Sequence, residues 1–363
     1  LGTSASVERS RAAILEDAVR NTFGSAVRVD RVVALAGDAS TRSYERVYLA
    51  GGSAPSTAIA MWLADRGVSI SSDELAVLPD HLAELPYVNV HRFLKRVGVA
   101  VPETYADCSA QGLLLIEDVG DLCLWDAVSR ADPNRVERLF QRAIDELVIL
   151  QVRGTELRDN TCIAFQQQFD AKLYLWECHH FLEWGIERQL QVQMPASERQ
   201  ELEHEFELLA ETLDRAPRFL AHRDFHSWNL FVQEPGERIR VIDFQDALLA
   251  APAYDLATLL GDRDTPQVVD PDRERRLTDF YLQRWLEAGG PQTATTEFER
   301  TYRLCALQKA LKVVGRFHYL ALAKRKPHYL RYIPGTVRQV HRLLPLFPEF
   351  AYLARVFRRH FPL

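Results

Sequence analysis

The sequence predicts an α+β fold in which a small N-terminal lobe with an antiparallel sheet precedes a large helical lobe. Strand-like runs are crowded into the first third of the chain, whereas helical periodicity dominates the remainder. The length of 363 residues suits one large domain or two modest ones. We therefore expect residues 1–118 to form the N-terminal lobe and residues 119–363 to form the helical lobe.

The predicted N-terminal lobe begins with a helix over Val7–Phe23, where apolar residues recur at helical spacing. Three β-rich runs, a second helix and a short apolar strand follow it, separated by glycine-containing or polar segments. In chain order these five segments are Val27–Ala36, Ser43–Ala50, Thr57–Leu63, Asn89–Val97 and Leu113–Ile116.

The predicted C-terminal lobe is helical apart from one small β island. Its long helical patterns are Asn134–Gln151, Phe165–Gln191, Ser197–Ala216, Asp272–Gly289 and Thr296–Ala323. The β island contains three short apolar strands around two polar loops. These strands are Arg218–Ala221, Leu230–Gln233 and Arg240–Asp243.

Composition limits the class of protein. Hydrophobic residues make up 47% of the chain and charged residues 26%, which is ordinary for a globular protein. The net charge of -6 comes without a basic run, so no nucleic-acid partner is expected. The five cysteines are odd in number and never form CxxC, which predicts reduced thiols in a cytoplasm. Neither a signal peptide nor a membrane span is predicted, and no obligate protein partner is expected.

The most informative segment is the polar loop inside the β island. Residues 222–229 read H-R-D-F-H-S-W-N, and residues 241–244 read V-I-D-F. Phosphoryl transfer requires mainly positioning and charge neutralisation, with a carboxylate at the acceptor hydroxyl and oxygen ligands for Mg²⁺. Asp224, Asn229 and Asp243 supply this set at the spacing of the kinase catalytic and metal-binding loops. The sequence therefore predicts a kinase that uses ATP and Mg²⁺.

These motifs also resemble a known family. Residues 222–229 with residues 241–246 are similar to the aminoglycoside phosphotransferase and choline kinase branch of the protein-kinase-like fold, and the resemblance extends over most of the chain. It is nearer still to the bacterial kinases that phosphorylate N-acetylmuramate and N-acetylglucosamine at the anomeric hydroxyl in cell-wall recycling. The segments behind this narrower resemblance are residues 37–44, 113–120, 243–247, 254–256 and 307–315.

The resemblance implies a role for each polar residue of the motif. Asp224 would be the catalytic base, and Asn229 and Asp243 would be the metal ligands. The substrate would be an amino sugar that is phosphorylated at its anomeric 1-hydroxyl.

Two further segments are predicted to hold the nucleotide. The loop from Gly37 to Arg42 lies between two strands, where Gly37 allows an unusual backbone angle and the hydroxyls of Ser40 and Thr41 can donate to phosphate oxygens. Glu117 and Val119 follow a strand near the end of the predicted lobe. We expect their main chain to contact the adenine edge.

One departure from the kinase pattern concerns the third strand. That strand normally carries a lysine for the α- and β-phosphates, but Thr57–Leu63 contains none, and Met61 takes its place. Arg42 and Arg46 are the candidate replacements, because a guanidinium can form two parallel hydrogen bonds with phosphate oxygens. A catalytically inactive nucleotide-binding module therefore remains an alternative.

The acceptor is the least determined part of the prediction. Lys309, Lys312 and Arg316 share one face of a helix and could meet the lactyl carboxylate of N-acetylmuramate. His226, inside the polar loop, could face the substrate or pack inward. Other acceptors stay open: an aminoglycoside would call for an acidic cleft, and choline, unlike homoserine, would call for an aromatic cage.

Overall fold

The computed structural model of the chain describes residues 2–35, 42–63, 84–295 and 297–363. The chain forms two compact units, one made of residues 1–89 with Val101–Asp121 and the other of Val90–Ala100 with Leu122–Leu363. The first unit carries an antiparallel sheet and the second is mostly helical. The predicted α+β class is therefore confirmed.

The sheet of the first unit contains β1 (Arg28–Leu35), β2 (Ser43–Ala50), β3 (Thr57–Trp62), β4 (Thr104–Cys108) and β5 (Leu113–Glu117). Its strand order is β1-β2-β3-β5-β4, and all neighbours are antiparallel. All these strands except β4 match predicted segments. The sequence of β4 gives no strand signal, because this strand at the sheet edge is short and mixes polar with apolar residues.

The two faces of this sheet have different surroundings. Helix α1 (Gly2–Phe23) covers one face, where Leu15 and Val19 pack with the buried residues Val47 and Trp62. Because side chains alternate along a strand, Arg46 and Met61 project from the opposite face. Met61 is only 1% exposed. An apolar buried side chain therefore stands where the kinase pattern has a lysine.

The second unit is built mainly from helices that pack around α10 and α4. Within the described ranges no helix combines the length and the apolar character that crossing a bilayer requires. In chain order the helices are α2 (Pro86–Val97, which begins in the first unit), α3 (Leu124–Val128), α4 (Pro133–Val148), α5 (Gly154–Glu156), α6 (Ala171–His180), α7 (Ala196–Asp214), α8 (Ala253–Gly261), α9 (Pro271–Glu287), α10 (Phe298–Leu322), α11 (Ile333–Leu343) and α12 (Ala351–His360).

Two predicted helices differ from the structure. The helix predicted from Phe165 begins at Ala171, because Asp170 caps α6 by accepting the backbone N–H of Leu173 at 3.0 Å. From Phe181 to Arg188 the same helix continues in π-helical form. Helix α4 likewise passes into a π-helical turn over Ile149–Arg153, whereas an uninterrupted helix was expected to Gln151. Hydrophobic periodicity over one or two turns cannot distinguish an α-helix from a π-helix.

The β island positions the two polar loops. Strand β6 (Phe219–Ala221) pairs with β9 (Leu248–Ala250), and β7 (Leu230–Gln233) pairs with β8 (Arg238–Val241). The loop of residues 222–229 joins β6 to β7, and residues 242–247 join β8 to β9. Because β7 and β8 are paired, the end of the first loop is brought beside the start of the second. Strand β9 was not predicted, since three residues give too little periodicity.

Helix α10 approaches the π-helical segment closely at Gly315. A Cβ at this position would lie 2.6 Å from the Cα of Phe181 and 2.9 Å from the carbonyl oxygen of His180. Both obstructing atoms belong to the backbone, so they cannot move aside as a flexible side chain could. Gly315 therefore sets how near α10 can lie to this segment.

We expect Gly315→Ala to lower the free energy of unfolding by about 1–3 kcal/mol, because the added methyl group overpacks a backbone contact. Gly335, in the first turn of α11, is the matched control, since a Cβ there meets only atoms at 3.9 Å or beyond. Gly335→Ala should leave stability unchanged or raise it by up to about 1 kcal/mol. Urea denaturation followed by circular dichroism measures both, and equal effects would contradict the packing argument.

Candidate active site

The loop of residues 222–229 is held from below by one buried carboxylate. Asp255, in the first turn of α8, accepts the backbone N–H of His222 at 2.6 Å and that of Arg223 at 3.0 Å. The imidazole Nε2 of His222 lies 2.9 Å from the carbonyl oxygen of Ile242. This contact links the two polar loops. His222 and Asp255 are both fully buried, so the base of the loop is closed to the surrounding solvent.

Arg223 gives the loop its direction. Its φ angle is +80°, in the left-handed region that costs a non-glycine residue about 1 kcal/mol or more. The two hydrogen bonds to Asp255 on this residue and its neighbour compensate for that cost. The turn brings Asp224 out of the buried base, and 40% of its side-chain surface is exposed.

Asn229, just before β7, and Asp243, just after β8, lie next to each other at one end of the strand pair. The Nδ2 of Asn229 donates to the carbonyl oxygen of Asp224 at 3.0 Å and lies 3.5 Å from Oδ2 of Asp243. The backbone N–H of Ile242 donates to the carbonyl oxygen of Asn229 at 3.0 Å. These bonds fix the amide so that its Oδ1 is left as an acceptor. Two hard oxygen donors are thus available, which suits Mg²⁺.

Negative charge is concentrated around Asp243. Desolvation by the surrounding protein raises the pKa of its carboxyl, and the nearby carboxylates of Asp246 and Asp224 add to the rise. Gln245 opposes the shift, because its Nε2 donates to Asp243 at 2.8 Å and to Asp246 at 3.2 Å. A cation bound at this position would relieve the repulsion among these carboxylates.

The carboxylate of Asp224 has a cationic partner from a distant helix. The Nζ of Lys309, on α10, lies 3.0 Å from Oδ1 of Asp224 and 3.5 Å from the carbonyl oxygen of Arg223. Desolvation would raise the pKa of Asp224, but the charges of Lys309 and Lys312 outweigh it and hold the pKa well below its usual value. The ionised form of Asp224 is therefore favoured.

Lys312 makes a second buried ion pair one turn further along α10. Its Nζ lies 2.6 Å from Oε1 of Glu177, and Nε2 of Gln308 donates to the other oxygen of that carboxylate at 2.6 Å. Glu177 is 0% exposed. The charge of Lys312 is thus balanced inside the protein.

The three basic residues of α10 therefore occupy different environments. Lys309 and Lys312 are buried and paired with carboxylates, whereas Arg316 is partly exposed, with its guanidinium 5.2 Å from the ring centre of Tyr319. Sequence reasoning did not anticipate that Lys309 holds Asp224. The apolar neighbours Ala306 and Ala310 could have indicated that this face of the helix is internal.

His226 is 7% exposed and lies within the same loop. Burial and the positive charge of Arg263 lower its pKa well below the usual value, so the imidazole is neutral. The adjacent Ser227 hydroxyl lies 3.3 Å from that of Thr265, which connects the loop to the segment after α8.

In the first unit Arg46 is bound to two carboxylates. Its guanidinium donates to Asp118 at 2.6 and 3.0 Å and to Asp121 at 2.8 Å. The hydrogen bonds that Arg46 donates to Asp121 and Asp118 raise its pKa further above its usual value. For Arg46 to contact a phosphate, as predicted, its guanidinium would have to break its hydrogen bonds with one of these carboxylates.

The predicted adenine segment follows β5. The carboxylate of Glu117 accepts the backbone N–H of Glu103 at 2.9 Å. In the described part of the chain no hydrogen bond involves the peptide N–H or C=O of Val119. Both groups are thus available to a nucleotide base. Of the predicted phosphate loop, Arg42 precedes β2 and is half-buried, while Gly37, Ser40 and Thr41 lie outside the described residues.

Comparison with known proteins defines the class. Residues 32–294 match the phosphotransferase enzyme family, and the chain belongs to this family. It is therefore a phosphotransferase.

Two relatives of the chain have the same name, N-acetylmuramate/N-acetylglucosamine kinase. The chain is 30% identical to N-acetylmuramate/N-acetylglucosamine kinase of Caulobacter vibrioides over 345 residues, which cover 90% of this chain and 89% of that protein. It is 29% identical to the Pseudomonas aeruginosa kinase of the same name over 273 residues, or 75% and 76% of the two chains.

Solved structures confirm the kinase-like fold. The amicoumacin kinase hAmiN, in complex with AMP-PNP, Ca²⁺ and Ami, is similar with a TM-score of 0.57 and 14% identity. The similarity covers 88% of this chain and 90% of that one.

Asp255 yields a prediction about pH. Burial raises its pKa to about 6, although the N–H groups of His222 and Arg223 oppose the rise. A carboxyl whose pKa is higher in the folded than in the unfolded state binds protons on folding. Its contribution to stability therefore declines as pH rises from about 4 to about 6. Asp255→Asn cannot titrate.

We therefore expect wild type to lose about 2–3 kcal/mol of stability relative to Asp255→Asn between about pH 4 and pH 7. Urea denaturation of both proteins at several pH values measures this difference. A difference that does not change with pH would show that Asp255 is ionised throughout.

Proposed function

We propose that this phosphotransferase transfers the γ-phosphoryl group of ATP to the anomeric 1-hydroxyl of an amino sugar, N-acetylmuramate or N-acetylglucosamine. The observation that carries the proposal is the arrangement of the two polar loops. The ionised carboxylate of Asp224 projects beside a pair of oxygen donors from Asn229 and Asp243. An acceptor hydroxyl and a metal-bound triphosphate need these groups together.

In this proposal Asp224 orients the anomeric hydroxyl and accepts its proton as the new P–O bond forms. The carboxylate is ionised before the substrate arrives, so it can accept a hydrogen bond from the hydroxyl at once. No covalent phosphoenzyme is required. Asn229 would contribute twice, since its amide nitrogen donates to the carbonyl of Asp224 while its amide oxygen would be a ligand of the metal.

Asn229 and Asp243 would hold Mg²⁺, which supplies charge neutralisation on the phosphate oxygens when it is bound. The fit rests on the chemistry of these donors, one amide oxygen and one carboxylate. Mg²⁺ commonly takes its remaining ligands from water and substrate phosphates rather than from the protein.

Lys309 would keep Asp224 in its productive rotamer. Lys309 is 5% exposed, and its ammonium donates to one carboxylate oxygen, which leaves the other oxygen for the acceptor hydroxyl. The same charge would also favour the negative charge that develops during transfer. We assign Lys309 to this positioning role rather than to binding a substrate carboxylate.

The two lobes would divide the work as the sequence suggests. The N-terminal lobe, about residues 1–118, would bind the nucleotide through Gly37, Ser40, Thr41 and Arg42 and through the free peptide groups of Val119. The C-terminal lobe, about residues 119–363, would carry the catalytic loop and the acceptor site. A cytoplasmic location suits a kinase that draws on cellular ATP.

The names of the curated relatives support the amino sugar as acceptor. The identity of 30% with one of them extends over 90% of this chain. Arg316, which makes no ion pair with the described residues, is the candidate for the carboxylate of N-acetylmuramate. A polycationic aminoglycoside is less well served, because Lys309 lies directly at the base.

The proposal is tested by Mg²⁺-dependent ATP consumption against N-acetylmuramate, N-acetylglucosamine, kanamycin, choline and homoserine, with the product identified by phosphorus NMR. We expect a sugar 1-phosphate from the first two compounds. Turnover of another compound instead would overturn the acceptor while leaving the phosphotransferase class intact. Nucleotide binding without turnover of any of the five would favour an inactive binding module.

Asp224→Asn should lower kcat by about 10²–10⁴-fold, because the amide cannot accept the proton. The affinity for ADP, measured by calorimetry, should stay within about threefold of wild type, which separates loss of the base from loss of the fold. Retention of kcat within a factor of ten would exclude Asp224 as the base.

Lys309→Ala should lower kcat by about 10²-fold, since one charged donor at the reacting groups is lost. A purely structural role would predict no recovery by small amines. We expect added methylammonium or ethylammonium to restore part of kcat in this variant but not in Asp224→Asn. No recovery at any concentration would contradict the positioning role.

A further inference from the structure

A small pocket lies beside the catalytic loop within the helical unit. Small residues of α8 and α10, among them Ala257, Gly261 and Ala306, line the pocket together with the polar residues Asp262, Lys309 and Gln339. The free space has about the size of one water molecule, which suits a single hydroxyl or hydroxymethyl group rather than a whole sugar ring.

Asp262 is the most informative residue of this pocket. Its side chain is 4% exposed, and its nearest ionic contact is Nε of Arg263 at 3.5 Å. In the described part of the chain no hydrogen bond reaches its carboxylate oxygens. A buried carboxylate without hydrogen bonds is costly, since such groups are normally satisfied by protein, water or ligand. Asp262 therefore marks a position where hydrogen-bond donors of a ligand are expected.

Gln339 brings an amide to the same pocket from α11. Gly261 makes room for it, because a Cβ at position 261 would lie 2.5 Å from Nε2 of Gln339. The amide makes no hydrogen bond with the described residues. The pocket thus offers a carboxylate, which accepts hydrogen bonds, together with an amide, which both donates and accepts.

The pocket is linked to the proposed base through Lys309. Lys309 forms part of its wall, and the ammonium of the same residue lies 3.0 Å from Asp224. The segment that carries Asp262 is also tied to the catalytic loop through Thr265 and Ser227. Lys309 would therefore be a neighbour both of a ligand in this pocket and of Asp224.

The charge around the pocket indicates the class of ligand. Arg263 lies 3.5 Å from the Asp262 carboxylate and Lys309 lines the same pocket, so positive charge is present close to this acidic residue. An ammonium group would be repelled by both cations. A neutral hydroxyl can donate to Asp262 without this penalty.

We infer that Asp262, assisted by Gln339, recognises a hydroxyl of the acceptor sugar distant from the anomeric carbon. The inference rests on the proposed function, because it assumes that carbon 1 faces Asp224. N-acetylmuramate and N-acetylglucosamine differ at carbon 3, so the hydroxyls that both share are those of carbons 4 and 6. One of these two hydroxyls donates to Asp262, which makes Asp262 a determinant of specificity for both sugars.

The experiment combines a variant with altered substrates. Wild type and Asp262→Asn are assayed with N-acetylglucosamine and with its 3-deoxy, 4-deoxy and 6-deoxy analogues. In wild type the 4-deoxy or the 6-deoxy analogue should have kcat/KM about 10- to 100-fold below the parent sugar, as expected for one hydrogen bond to a charged group. In Asp262→Asn this penalty should fall to within about threefold.

Asp262→Asn should raise KM for the parent sugar by about 10- to 100-fold and leave ADP affinity unchanged. The matched control is Asp264→Asn in the same segment, where the carboxylate is bonded to Gln267 at 2.8 Å and does not line the pocket. Its KM should match wild type. Gln339→Leu, with an expected rise in KM of about 3- to 10-fold, provides a second test if Asp262→Asn unfolds.

The outcomes separate the two hypotheses. If wild type turns over neither amino sugar, the proposed function falls and this inference falls with it. If wild type is active but Asp262→Asn keeps the wild-type KM, or keeps every deoxy penalty, the inference alone is overturned.

Discussion

The candidate site depends on the two hydrogen bonds that Asp255 accepts from the backbone of His222 and Arg223. They hold Arg223 in a left-handed conformation, and that turn carries Asp224 from the buried base to the surface of the loop. An ionised carboxylate with no access to water is itself unfavourable, as the raised pKa of Asp255 shows. This local cost is accompanied by the two hydrogen bonds that hold the turn.

Two buried ion pairs lie near the loop that Asp255 holds. Asp224 is paired with Lys309, and one turn along α10 Lys312 is paired with Glu177. Buried ion pairs of this kind contribute little net stability, since desolvation offsets most of the attraction. Their effect is on the orientation and the ionisation of the Asp224 carboxylate. The pKa of Asp224 stays low, and its carboxylate keeps one fixed hydrogen bond before any ligand arrives.

The motifs and most elements could be predicted from the sequence, but the partners of the motif residues could not. Local periodicity located β2 and α10. The spacing of Asp224, Asn229 and Asp243 predicted a catalytic loop and a metal-binding loop, and the structure places Asn229 in contact with both carboxylate-bearing residues. The pairing of Lys309 with Asp224 spans 85 positions and depends on tertiary packing, so a charged helical face could not be distinguished from a buried one. The absence of a lysine from β3 could be read from the sequence. The burial of Met61 in its place could not, because that burial depends on how the sheet packs.

The distance along the chain between Asp224 and its lysine has a consequence for biosynthesis. The loop leaves the ribosome 85 residues before Lys309 does, so a nascent chain carries the acidic part of the site without its cation. Helix α10 must then dock against the π-helical segment at Gly315 before the ion pair can form. Maturation of the catalytic loop therefore waits on the C-terminal third of the polypeptide, and fragments truncated ahead of α10 leave that carboxylate without its cation.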